Sequence, residues 1–156
     1  MEPDFDSDAE GGEPYLFPDE LRVGEVDSAR LMANAYELVG SVAAGQIRAV
    51  DARQRLRASG GNCVICLELV YVQAETNGVR VAQLPCGDIQ DVDCMRGWVN
   101  ATNGLGDFKP PRCPCCNTDL RADGEVSAVD VTESLKAAIQ AADLLIVNAE
   151  PPPPTD

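Results

Sequence analysis

The chain has no histidine. Any metal held by its side chains must therefore rest on cysteine and carboxylate, because imidazole, the commonest metal-binding side chain, is missing. Aromatics are scarce as well: three Phe, three Tyr and one Trp among 156 residues argue against one large aromatic core. Lysine is nearly absent, with only Lys109 and Lys136. Long apolar runs are missing, and LLIV at 144–147 falls far short of the ~20 residues a bilayer span needs. No basic patch is present either. Residues 1–27 carry ten acids against one base, and residues 119–156 carry eight against two. Between them, 28–118 are close to neutral, with eight acids and nine bases. Acidic ends of this kind repel a phosphate backbone, so nucleic acid is excluded as a partner, as is a membrane. The first residues are acidic, with no apolar stretch behind them, and the expectation is a soluble intracellular protein, cytoplasmic or nuclear.

What the sequence does hold is cysteine. Seven cysteines lie between positions 63 and 116. In a reducing compartment that pattern points to metal or catalysis rather than to a disulfide framework.

The length suggests one domain or two small ones. Residues 1–27 read as a disordered acidic arm with little to bury. Within it, YLF at 15–17 is an apolar island, open to local packing or to a docking role. Residues 28–58 read as helical, one broken helix or two short ones, with Leu31, Ala35, Leu38 and Val42 at helical spacing and Asp27 or Ser28 placed to cap. The arginines at 48, 53, 55 and 57 read as a solvated face. Residues 68–84 read as a β-hairpin: ELVYVQA and VRVAQL are rich in β-branched residues, and Asn77-Gly78 between them is a strong turn signal. A short helix is expected over 92–100 and a loop over 101–111. Asp130 and Glu133 have capping-box spacing ahead of an amphipathic helix over 131–147. A Pro-rich disordered tail, 148–156, follows.

Cys63 and Cys66 form one C-x2-C pair, Cys113 and Cys116 a second, and Cys86 and Cys94 stand between them. Two such pairs bracketing a third cluster signal zinc, because each tight turn offers two soft thiolates. The redox reading of C-x2-C needs a βαβ context that is absent.

CVICLE (63–68), LPCG (84–87), the step from Cys94 to Trp98, and CPCC (113–116) together resemble a RING finger. The resemblance covers about residues 60–120. It implies an α+β fold: a small cross-braced zinc finger of β-hairpin plus short helix, flanked by helices and disordered acidic ends. It implies two zinc ions held by four interleaved ligand pairs. Carried over by position, the first site would be Cys63, Cys66, Asp91 and Cys94, and the second Cys86, Asp88, Cys113 and Cys116. Asp88 and Asp91 depart from the family, whose members usually carry histidine or cysteine there, and Gln90 replaces a common apolar residue. Three thiolates and one carboxylate leave a site at −2 around a divalent ion. Nearby N–H groups or Arg80, Arg96 or Arg112 are expected to offset that charge. Cys115 is a spare thiol, or a replacement for an aspartate by a register shift.

Family resemblance also implies function. RING fingers act as ubiquitin ligases without a covalent intermediate, holding a charged ubiquitin-conjugating enzyme near a substrate protein. The partner-binding positions would be Ile65, Trp98 and Pro114, with Asn117 where many active members carry a basic residue that reaches ubiquitin. Three readings stay open: a ubiquitin ligase, a non-catalytic adaptor with weakened or lost zinc binding, and a metal-free α+β interaction domain.

Overall fold

The computed structural model describes residues 17–18, 20–104, 112–122 and 125–152. Among these residues the chain is mixed α and β. Strand β1 (Arg22–Val23) leads to helices α1 (Ala29–Ala43) and α2 (Ala49–Ala58). A short helix α3 (Val70–Glu75), strands β2 (Val81–Gln83) and β3 (Ile89–Asp91), and helix α4 (Val92–Gly104) follow. The rest is strands β4 (Arg121–Ala122), β5 (Glu125–Val126) and β6 (Val129–Asp130), and helix α5 (Thr132–Ala149). The main sheet runs β1–β6–β2–β3. β1 pairs with β6 in parallel, β6 with β2 antiparallel, and β2 with β3 antiparallel, Val81 opposite Asp91. β4 and β5 form a separate two-stranded ribbon.

Strand alternation divides the apolar residues into two cores. Val81 enters the larger one with Leu31, Ala35 and Val42 of α1, Ala52 and Leu56 of α2, and Leu135, Ile139 and Ile146 of α5. The next residue, Ala82, enters the smaller one with Phe17, Leu84, Val92, Met95, Val99, Cys113 and Leu120. Each fully buried Leu or Ile contributes about 1.5–3 kcal/mol relative to exposure, so the α1–α2–α5 layer is the main store of stability. The Thr132 hydroxyl, at the start of α5, accepts the Val81 N–H at 3.0 Å and fixes that helix to the centre of the sheet.

The helical expectations over 28–58 and 131–147 correspond to α1, α2 and α5. Residues 28–58 form two helices, and the Asp27 carboxylate accepts the Ala29 N–H at 3.2 Å. At α5, the Asp130 carboxylate accepts the Thr132 N–H at 3.0 Å, but Glu133 pairs forward with Lys136 instead of closing a capping box.

Two expectations are corrected. ELVYVQA is not a strand: Val70–Glu75 is helical and buries Val70, Tyr71 and Ala74 against the larger core. Burial at i, i+1 and i+4 outweighs the strand preference of its β-branched residues. Gly60 permits this helix to dock, because a Cβ there would meet the Tyr71 ring. The hairpin is β2–β3 instead, closed through LPCG by Gly87 at φ 96°. The second correction concerns the acidic arm, whose described part is ordered. Phe17 is buried in the smaller core and Arg22–Val23 is a sheet strand. The loop expected over 101–111 begins later, because α4 continues through 101–104; Tyr15 and Leu16, residues 105–111 and the end of the Pro-rich tail lie outside the described residues.

Candidate metal centre

Residues 62–69 and 112–119 fold into the same turn twice. Cys63 N–H donates to the Glu68 carbonyl at 2.8 Å and Leu67 N–H to the Cys63 carbonyl at 2.8 Å. Cys113 N–H donates to Thr118 at 2.9 Å and Asn117 N–H to Cys113 at 2.8 Å. Isolated bridges, Asn62 with Leu69 and Arg112 with Asp119, close both turns. The side chain ahead of each first cysteine secures the turn: Asn62 donates to the Leu67 carbonyl at 2.7 Å, and Arg112 to that of Asn117 at 3.1 Å. Leu67 and Asn117, each following a second cysteine, both take left-handed backbone, with φ 68° and 66°. Asn tolerates this conformation; Leu pays roughly 1–2 kcal/mol for it.

The structure gathers the sequence-predicted ligands into two groups. Cys63, Cys66, Asp91 and Cys94 meet in one, and Cys86, Asp88, Cys113 and Cys116 in the other, with the ligand atoms of each group within 4.8 Å of one another. The turn carrying Cys63 and Cys66 meets the junction of β3 and α4. The turn carrying Cys113 and Cys116 meets the β2–β3 connection. Cys63 belongs to the larger core and Cys113 to the smaller, so each group anchors one core.

Both groups match the dimensions of a tetrahedral metal site. Zinc–sulfur bonds of about 2.3 Å and zinc–oxygen bonds of about 2.0–2.2 Å give oxygen–sulfur edges of about 3.5 Å. The Asp91 Oδ2 atom lies 3.2 Å from Cys66 Sγ and 3.9 Å from Cys94 Sγ. Asp88 Oδ2 lies 3.5 Å from Cys86 Sγ and 3.3 Å from Cys113 Sγ. Asp91 is only 5% exposed, and its Oδ1 is buried without a hydrogen-bond partner. A carboxylate this deep is costly unless it meets a cation or a full set of donors. Donor type, spacing and this unsatisfied oxygen all fit a bound cation.

The groups differ in their surroundings. Gln73 Nε2 donates to Asp91 Oδ2 at 3.0 Å. Buried Gln90 accepts the Val64 N–H at 3.2 Å through Oε1, holding the first turn against β3. In the second group, Cys116 is exposed and Asp88 partly so. Cys115 stands outside both groups and is exposed, and its N–H donates to Cys113 Sγ at 3.4 Å. Of the arginines expected to offset the charge, Arg96 engages Asp93 and the Pro18 carbonyl, and Arg112 engages Asn117. Gln73 is the side-chain donor to Asp91 instead. It went unforeseen because it lay in a segment read as strand; the helical i, i+3, i+4 spacing of Val70, Gln73 and Ala74 was the available signal.

Thiol acidity follows the same geometry. Burial pushes Cys63 up, but the backbone N–H groups of Cys66, Ile65 and Asp91 outweigh it, and its net shift is downward. Cys116 is lowered by the Thr118 hydroxyl and backbone N–H. Each turn thus favours one thiolate. Burial leads the upward shifts of Cys66, Cys94 and Cys113, and pushes Cys86 up to about 12. Metal binding at such thiols releases protons.

No known protein-family model, curated protein or solved structure matches this chain. Among the described residues no helix is long and apolar enough to cross a membrane.

One consequence of the Gln73 contact is testable. Gln73→Glu sets a second carboxylate against Asp91 in place of a donor. Metal affinity of the first group should fall by about 10–100-fold, the usual cost of losing such a partner. Competition with a coloured chelator measures it, and Gln73→Met, which removes the donor without adding charge, should lie between the two. Equal affinity in all three proteins would show that Gln73 does not support the site.

Proposed function

We propose that the chain is a RING-type zinc-binding protein, with one zinc ion in each Cys/Asp group. On this reading it docks a ubiquitin-conjugating enzyme and promotes ubiquitin transfer to a substrate protein. The observation that carries the proposal is the interleaving of the groups: ligand pairs one and three meet, as do two and four. Zinc is the metal this donor set favours, since three thiolates select a soft or borderline ion and four ligands suit a tetrahedron.

The expected docking residues support the reading. Ile65 is 40% exposed and Trp98 is 42% exposed, although both are apolar. Val64 and Leu67 widen the apolar surface of the first turn. Trp98 lies one helical turn beyond Cys94, and its indole N–H donates to the Arg112 carbonyl at 2.9 Å, beside the second turn. Pro114, partly buried, is in that turn. A partly exposed tryptophan braced in this way suits an interface anchor. The gain from such docking is proximity and orientation, with no covalent intermediate on this chain.

Asn117 favours a second reading, a non-catalytic adaptor. It is exposed, and it lacks the guanidinium charge and fork of an arginine at that position. Discharge of ubiquitin from a panel of charged conjugating enzymes separates the two readings. An added substrate protein is needed, because the chain offers only two lysines. A ligase should accelerate discharge with at least one enzyme, and Trp98→Ala should weaken docking at least tenfold, about 1.4 kcal/mol or more. A blank panel with docking retained leaves the adaptor; docking unchanged by Trp98→Ala removes Trp98 as the anchor.

A further inference from the structure

The two groups have the same composition but unequal support for their carboxylates. Asp91 is buried, bonded by Gln73 and set between a strand and a helix. Asp88 belongs to the turn between β2 and β3, and its carboxylate oxygens meet only thiols among the described residues. The second group also has a further sulfur beside it. Cys115 corresponds to Ile65 when the two turns are matched through their hydrogen bonds. Its backbone N–H already points at a ligand sulfur, that of Cys113. Cys115 and Asp88 line the same cleft.

We propose that Cys115 is a metal ligand, displacing Asp88 when the second group binds a soft cation, so that this site closes with four sulfurs. The inference rests on the metal-binding reading above and concerns the identity of the fourth donor. Exchanging a carboxylate for a thiolate leaves the ligand charge at −4, so no charge compensation is lost. It does replace a hard oxygen by a soft sulfur, which favours thiophilic ions such as cadmium(II) and copper(I). The movement involves an exposed side chain and a surface turn, whereas the first group would have to break the Gln73 contact and shift packed residues. The first site therefore keeps three sulfurs and one oxygen, and the second becomes the softer of the two.

Cadmium NMR of the full chain tests this, because cadmium bound by four sulfurs resonates apart from cadmium bound by three sulfurs and an oxygen. Two resonances are expected, one of each kind. In Cys115→Ser the four-sulfur signal should move to the three-sulfur range and the other should stay in place. In Asp88→Ala the four-sulfur signal should persist. Two three-sulfur signals in the native chain, unchanged by Cys115→Ser, would overturn the proposal while leaving both metal sites standing. Absence of any bound cadmium or zinc would overturn the metal reading and this inference with it. Cys115 is exposed, so its replacement is not expected to disturb folding.

Discussion

Stripping metal from the chain should collapse its smaller core first and report that collapse through Trp98. The purified chain should carry close to two zinc ions, one per group. A strong chelator should then shift the emission of the only tryptophan, whose indole N–H is tied to the second turn through Arg112. Among the described residues the smaller core is a cluster of eight buried residues, two of them alanine and cysteine, around α4 and the end of β2. Side chains as small as alanine, valine and cysteine among them contribute little against the conformational entropy of the turns around them. Structural zinc contributes about 10–16 kcal/mol in small finger peptides, and that is the scale of support at stake. The larger core depends less on metal, because α1, α2 and α5 pack on one another directly. Circular dichroism after chelation should therefore keep much of the helical signal while Trp98 moves to a wetter environment. Zinc content below about half an ion per chain, with emission unchanged by chelator, would remove the metal from the account of this fold.

The cysteine pairs of the two Cys/Asp groups were legible in the sequence because a pair of thiolates is written in a short spacing. A C-x2-C turn brings two sulfurs together whatever surrounds it, whereas the choice of Asp88 and Asp91 and the pairing of one with three and two with four are what the resemblance to a RING finger implies. The long helices were legible for a similar reason: Leu31, Ala35 and Val42, or Leu135, Ile139 and Ala142, repeat the helical period over several turns. Segment 70–75 was not legible. Its β-branched residues and the Asn77-Gly78 that follows are local signals for a hairpin, and they lost to burial of Val70, Tyr71 and Ala74 against helices distant in sequence. Gln73 was hidden with it. Phe17 was hidden because the acids near it dominate the composition, while its own burial depends on Val92 and Met95 far along the chain. The left-handed backbone at Leu67 has no sequence signature, since leucine is a poor choice for that conformation and only the repeated hydrogen bonds of the turn impose it.

Replacing Arg57 by methionine should cost about 2–4 kcal/mol, read as the change in unfolding free energy in urea. Arg57 joins three helices. Its guanidinium donates to Asp143 of α5 at 2.7 and 3.0 Å, and to Glu75 of α3 at 2.7 and 2.8 Å, while its stem lies on α2. The Arg57 side chain is only 17% exposed and that of Asp143 13%, so water would not fully replace the lost partner. Removing one member of a buried pair costs about 3–5 kcal/mol, and the greater exposure of Glu75 moves the expectation toward the low end. Methionine retains most of the apolar stem, which separates loss of charge from loss of packing. The pH dependence supplies a second readout. Burial pushes the Asp143 carboxyl up, but Arg57 and then Arg53 outweigh it and hold it below the usual carboxylate value. A lowered folded pKa stabilises the native state above the unfolded value of about 3.9, and that contribution is lost as pH falls through the folded value. In Arg57→Met the half-exposed Arg53 still faces Asp143, but the larger of the two lowering influences is gone. The carboxyl is then held down less, so protonation opposes the native state less than it does in the parent chain. The stability gap between the two proteins should consequently narrow as pH falls across the carboxylate range. Taking that gap at each pH cancels the loss of any bound metal in acid, which both proteins would share. A gap that stays constant from neutral pH down to about 3 would show that Arg57 acts through packing alone.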